Sequence, residues 1–323
     1  MMPFKIGSVF AVIAMLCTAA GAQSFALVSS EKDNALAIVN LKDQKLEGTI
    51  PTCKRPRHLQ LTPDRKQVLV ACGGDNAADV IDLATRKSVG RIPLGENPEA
   101  FDVSPDGKTL YVSNEDEGEL SFVDIVGKKV LKEVKVGKEP EGVKVSPDGK
   151  TVYVTSEVAS MVHVIDVASA KLVKNIAVGK RPRRMAFTPD GAELWVTNEL
   201  GASVSIISTK EMKVIGSVKF AIKGAKQSDI TPVGIVISKD GKRAFVGLGR
   251  ANHVAFVDVA KRETTQQVLA GKRAWNVTLN NDESQLYVVN GLSDDMTIVD
   301  VATAKATKTI PVGRVPYGAV LID

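Results

Sequence analysis

Cysteine and histidine are scarce in this chain, with three of each among 323 residues. No pair of them has the spacing of a zinc site, a c-type haem attachment or a C-x-x-C redox motif, so those chemistries have no basis in the sequence. After the N-terminal segment no apolar run is long enough to cross a bilayer. Charge of one sign is also not in great excess. The 42 Lys and Arg against 37 Asp and Glu leave a net charge of +5, which makes no demand for nucleic acid.

What the chain has in quantity is repetition. Turn aspartates recur at Asp64, Asp106, Asp148, Asp190, Asp240 and Asp282, stepping by 42, 42, 42, 50 and 42. A second series, Asn40, Asp82, Asp124, Asp166, Ser208, Asp258 and Asp300, steps by 42, 42, 42, 42, 50 and 42. A period in the forties holding several β-type runs is that of a propeller blade. In one unit, Glu141–Val145 alternates, Ser146-Pro147-Asp148-Gly149 turns, and Thr151–Thr155, Val162–Val167 and Leu172–Val178 follow as strands. Four strands per unit, A to D, make one antiparallel blade. Asp82, Asp124, Asp166, Asp258 and Asp300 end C strands and read as turn caps, as do the turn aspartates. Tyr111, Tyr153, Trp195 and Tyr287 read as core between blades.

Counting closes the ring. A strands begin near Arg57, Glu99, Glu141, Arg183, Val233, Trp275 and Tyr317, and B strands centre on Leu27, Leu69, Tyr111, Tyr153, Trp195, Phe245 and Tyr287. The expected fold is all-β, a seven-bladed propeller of four-stranded blades. Its C-terminal strand, Tyr317–Ile322, is expected to join the three N-terminal strands and so protect two open edges.

Residues 1–22 read as a signal peptide, with Lys5, an apolar Ile6–Cys17 and Ala20-Gly21-Ala22 for cleavage, leaving 23–323 as one propeller. The periplasm is the expected compartment, without a membrane span. Of the cysteines, Cys53 stands where the repeat has the glycine of Val-Gly, and Cys72 ends the next B strand. A disulfide and two unpaired small residues both fit.

Function is expected at the channel mouth, where D–A and B–C connections share a face and the repeats differ most. The D–A loops place Arg55, Arg57, His58, Arg181, Arg183, Arg184, Arg273, Trp275, Arg314 and Tyr317 there. Such a mouth is lopsided, basic at the first, fourth, sixth and seventh blades and acidic at the second and third. Arginine forks suit carboxylate or phosphate, and Trp275 and Tyr317 suit stacking on a planar ligand. The alternative is that these charges pair around the ring. An eight-residue insertion within 219–231 falls over the same mouth as a lid or a decorative loop. His58 is a remote candidate for metal or haem, His163 reads as packed, and Glu139 with Glu141, or Glu115-Asp116-Glu117, as carboxylates able to share a site. The sequence names no catalytic residue, and no cofactor is expected.

The strings Leu110-Tyr-Val-Ser-Asn114, Val152-Tyr-Val-Thr-Ser156, Leu194-Trp-Val-Thr-Asn198 and Leu286-Tyr-Val-Val-Asn290, with Ser-Pro-Asp-Gly, Val-Ile-Asp and Ile-x-Val-Gly, resemble the YVTN-repeat β-propeller family across the mature chain. Seven repeats and an exported precursor look most like the PQQ-dependent catabolism-associated propellers. That resemblance implies service to quinoprotein alcohol oxidation, with a quinoprotein dehydrogenase, a cytochrome or an ABC-transport component as partner. Related propellers include lactonase-like hydrolases, a DNA-binding periplasmic protein and haem-binding domains, and fold alone does not choose among them. The tryptophan-rich blades and adjacent cysteine pair of quinoprotein dehydrogenases are absent, so the chain is not expected to hold PQQ. The expectation is a non-enzymatic binding or accessory propeller taking a small anion or a protein at its mouth. A lactonase-like or haem/redox propeller is the alternative, and a single-stranded DNA binder, disfavoured by the acidic second and third blades, comes after that.

Overall fold

A computed structural model describes residues 24–323, and the expected signal peptide lies outside them. Twenty-eight strands, β1 to β28 in chain order, form seven four-stranded antiparallel sheets. The innermost strands are β4 (Pro56–Leu61), β8 (Pro98–Val103), β12 (Pro140–Val145), β16 (Pro182–Phe187), β20 (Ile235–Ile237), β24 (Ala274–Leu279) and β28 (Pro316–Ile322). Each packs beside its neighbours around a central channel.

The seventh sheet closes the ring as the strand count requires. In it β28 pairs with β1 (Phe25–Ser30), with Phe25 opposite Ile322 and Leu27 opposite Val320. Each end of the chain therefore supplies what the other lacks, and no inner edge stays open.

Repeated side chains do the structural work expected of them. Ser104 Oγ donates to Asp106 Oδ1 at 2.6 Å, and the backbone N–H of Lys108 donates to the same oxygen at 3.1 Å. The same hydrogen bonds recur at Asp64, Asp148, Asp190 and Asp240, while at Asp282 the hydroxyl and backbone N–H of Ser284 both donate, and these bonds lower the pKa of each carboxyl. Asp82, Asp166 and Asp300 cap the C–D turns through the side chain and backbone of Thr85, Ser169 and Thr303. Leu27, Leu69, Tyr111, Tyr153, Trp195, Phe245 and Tyr287 are all buried between blades. Tyr111 meets Phe122 edge-on at 5.1 Å, as Phe245 meets Phe256 at 4.8 Å.

Cys53 and Cys72 form a disulfide with Cα atoms 5.6 Å apart. The insertion is an inter-blade wedge, and none of its residues lines the mouth cavity described below. Phe220 and Ile230 are buried against Trp195, Val218 and Leu248 between the fourth and fifth blades, and Gln267 Nε2 ties Ala221 O at 2.9 Å. Apolar residues at both ends of the loop anchor it, and residues 223–228 between them are exposed.

Candidate functional site

Six of the seven D–A connections carry one residue just before β4, β8, β12, β16, β24 or β28 and one just inside that strand, and the fifth carries Val233 ahead of β20. The outer residues are Arg55, Asn97, Glu139, Arg181, Arg273 and Val315, all with φ between 48° and 59°. That left-handed turn is costly for a side chain. Neighbouring loops hold it: Asn34, Asn76, Asn252 and Asp294 accept the backbone N–H of Arg55, Asn97, Arg273 and Val315 at 2.8–3.1 Å. The inner residues are Arg57, Glu99, Glu141, Arg183, Val233, Trp275 and Tyr317.

A second ring rises from the B–C loops. One step after the B strand the repeat carries Glu31, Gly73, Glu115, Glu157, Glu199, Gly249 and Gly291, the same register as the blades. Glu31, Glu157 and Glu199 were legible only through that register, because each stands alone in its own loop. With these glutamates the alternative, that the charges pair around the ring, holds at the first and fourth blades. Arg57 pairs with Glu99, and with Glu31 at 3.6 Å; Arg55 reaches Glu99 at 3.5 Å. On the other side Arg183 pairs with Glu157, and with Glu141 at 3.3 Å, while Arg181 meets Glu157 at 2.5 Å and Glu199 at 3.0 Å. Arginines of blades one and four thus meet carboxylates of their own and adjoining blades.

Burial by itself would raise Glu141, but the guanidinium groups of Arg183, Arg184 and Arg57, with the Tyr317 hydroxyl, hold its carboxyl down at about 2. The hydroxyl of Tyr317 donates to Glu141 Oε1 at 3.2 Å and also contacts Arg184. Burial pushes Tyr317 up. Trp275 and Tyr317 join Val233 as a buried apolar wedge, and their ring faces are taken by arginine. Arg273 lies 3.8 Å over the Trp275 centroid with Arg183 at 5.1 Å, and Arg57 lies 5.2 Å over Tyr317. Stacking of these two rings on a planar ligand is therefore not offered.

One guanidinium differs. Arg273 has no carboxylate partner and no side-chain hydrogen bond among the described residues. Desolvation lowers its pKa, Glu199 acts against this, and Arg183 and Arg250 reinforce it. It remains a cation. Glu115 is its counterpart across the cavity. It forms no ion pair among the described residues and accepts one hydrogen bond, from Asn97 Nδ2 at 3.0 Å. Both line a mouth cavity of about 270 Å³ with Arg55, Arg57, Arg181 and Trp275.

The remaining expected residues lie elsewhere. Arg314 is exposed on the rim and pairs with Asp33 at 2.6 Å. His58 and Arg184 sit below the mouth, in the wall of a separate inner cavity. Burial and the nearby Arg184 charge depress His58 to about 3, so its ring is neutral. His163 is packed as expected, with Nδ1 2.7 Å from Asn175 Oδ1. Glu139 does not join Glu141 in the cavity. No group of three or more His, Cys, Asp or Glu among the described residues has metal-binding geometry.

Comparison with known proteins fits this architecture. A YNCE-like beta-propeller model matches residues 64–146 and 140–193, and a 7-bladed lactonase beta-propeller model matches 171–312. No curated protein matches the sequence. Among solved structures, Kuenenia stuttgartiensis hydrazine synthase is 23% identical, covering 85% of this chain and 92% of its own with a TM-score of 0.77. The Pseudomonas aeruginosa periplasmic gluconolactonase is 18% identical, covering 94% and 99% at 0.79. A putative 6-phosphogluconolactonase from Bacteroides fragilis is 17% identical, covering 95% and 99% at 0.78. At such identities these structures share the fold. The chain is a seven-bladed β-propeller, similar to the YNCE-like propellers from its first blade to the start of its fourth and to the lactonase propellers over its later blades.

Proposed function

We propose that this propeller binds a small polyhydroxy carboxylate of the sugar-acid type at its mouth. The carrying observation is the pair Arg273 and Glu115, the guanidinium and the carboxylate that stay outside the ion-pair network of a shared cavity. A ligand carboxylate takes the fork of Arg273 bidentately, and ligand hydroxyls donate to Glu115. The paired arginines and glutamates are the rigid wall. Calorimetric titration with gluconate at low salt tests this reading. Saturable binding that weakens about tenfold or more in Arg273→Gln supports it. No binding, or equal binding by that variant, overturns it.

The lactonase match over 171–312 favours a second reading, hydrolysis of the corresponding lactone. Glu115 is then the base, as the cavity carboxylate that no arginine engages. Turnover of glucono-lactone that disappears in Glu115→Gln identifies the enzyme; binding of gluconate without turnover identifies the binding protein.

Periplasmic placement and service to quinoprotein-linked oxidation belong to this proposal. The disulfide supports an oxidising compartment. The partner, a dehydrogenase, cytochrome or transporter component, would meet the same mouth once the sugar acid is bound.

A further inference from the structure

Beneath the mouth the channel widens again. This inner chamber has a volume of about 310 Å³ and is roofed by Arg184, whose Nη1 donates to the Glu141 carbonyl at 3.2 Å. Glu141 and Tyr317 belong to the mouth, while Arg184 and Gly318 belong to the chamber. The Glu141–Arg184–Tyr317 cluster thus divides the channel into an upper and a lower room. The lower room shares Val236 and Thr278 with a third cavity, lined also by Arg65, Lys239 and Asn281 of the A–B turns. Its way out is toward the face opposite the mouth.

The walls of the chamber differ from side to side. Blades one to three give His58, Gln60, Asp102 and Lys144, interleaved with Leu59, Phe101 and Val143; blades five to seven give Ile235, Val236, Val277 and Ala319, with Asn276 and Thr278 as their polar members. The polar wall carries no net charge. Lys144 Nζ lies 3.1 Å from Asp102 Oδ2, and Gln60 Nε2 donates to Asp102 Oδ1 at 2.9 Å. The Arg184 charge is matched by Glu141 at 3.2 Å, and the His58 ring is neutral. His58 Nε2 and Gln60 Oε1 have no hydrogen-bond partner of good geometry, and the polar group that acts on the His58 ring is the neighbouring Gln60 side chain. Buried polar atoms ordinarily have a well-placed partner. Lys144 has three donors and one ion-pair partner.

A wall with spare donors, a spare acceptor and no net charge suits a group that both gives and takes a hydrogen bond. A carboxylate there would face Asp102, and an ammonium would face Lys144. We propose that the inner chamber is a second ligand site, entered from the A–B turn face, for a small uncharged amphiphile with a hydroxyl head and an apolar ring or branched chain. Its hydroxyl lies against Gln60 and Lys144, and its apolar part against Val236, Val277 and Ala319. Small apolar pockets with a few placed polar groups hold ligands in this manner.

The test uses phenol as probe with benzoate and benzylamine as charged counterparts, followed by ligand-observed NMR on the full propeller. Melting curves first establish that each variant is folded. Phenol is expected to bind saturably, at least about tenfold more tightly than either ion. Ala319→Phe, which fills the chamber from its apolar wall, should weaken phenol about tenfold or more, while Arg273→Gln in the mouth leaves it unchanged. If Ala319→Phe does not fold, Lys144→Met gives the same reading from the polar wall. Absence of saturable phenol binding, equal binding of benzoate, or loss of phenol in Arg273→Gln rather than in the chamber variant overturns the proposal. The mouth titration with gluconate is independent, so either site can fail alone.

Discussion

Cys53 and Cys72 are bonded across the same junction that Gly95 and Asn114 occupy one repeat later. Gly95 follows a D strand and lies so close to Asn114 that a Cβ on it would overlap that side chain. The Gly179–Asn198 and Gly271–Asn290 junctions are similarly close, again with no room for a Cβ. In the first blade a covalent bond replaces this contact, and it holds the Lys54–His58 loop that carries Arg55 and Arg57 to the mouth.

Removing that bond should cost stability without changing the fold. The bridge spans 19 residues, and closing a loop of that length contributes about 3 kcal/mol. A Cys53→Ser, Cys72→Ser double variant is therefore expected to unfold at lower denaturant. Because both cysteines are almost wholly buried, the native protein should resist mild reductant until it unfolds. Denaturant midpoints with and without reductant check both statements.

Acid should destabilise the propeller in two stages with the same sign. His58 has a folded pKa of about 3 against 6.5, so the unfolded chain binds the extra proton between those values. Glu141 has about 2 against 4.5, again lower in the folded state. Both contributions are complete above the unfolded values and are lost as pH falls through the folded ones. Stability is thus expected to decline from about pH 6.5 downward, the Glu141 contribution joining below about 4.5. His58→Gln should flatten the upper stage and leave the lower one. Equal curves for the variant and the parent would refute the assignment.

Gly142 sits on the inner strand where a Cβ would overlap the backbone carbonyl of Arg183 in the next blade. That carbonyl also accepts from Thr155 Oγ1 at 2.9 Å, so it has little freedom to withdraw. Gly142→Ala is expected to destabilise by about 2 kcal/mol, seen as a lower melting temperature.

Ring closure predicts a cooperative penalty. Deleting residues 316–323 exposes the edge of β1 and removes Tyr317 from the mouth. Such a chain should lose its single sharp melting transition and self-associate, as scattering and calorimetry would register.

The repeat made the architecture legible. A period of 42 with turn chemistry at fixed offsets specifies blades, their number and the closing strand, because each blade obeys local rules that the sequence restates seven times. The same register points to Cys53 and Cys72 as neighbours, since each replaces a member of a recurring contact, though only the folded distance decides that they bond. Charge at the mouth was a different matter. Arg55, Arg57, Arg181 and Arg183 read as a basic rim because D–A loops are contiguous in sequence, whereas Glu31, Glu157 and Glu199 arrive singly from other loops. Whether a guanidinium is free or paired depends on distances between blades tens of residues apart, and the tertiary structure alone decided that Arg273 is free. It also decided that Arg184 roofs a lower chamber and that the ends of the insertion pack between two blades, since local sequence sets which residues a strand carries and packing sets what they face.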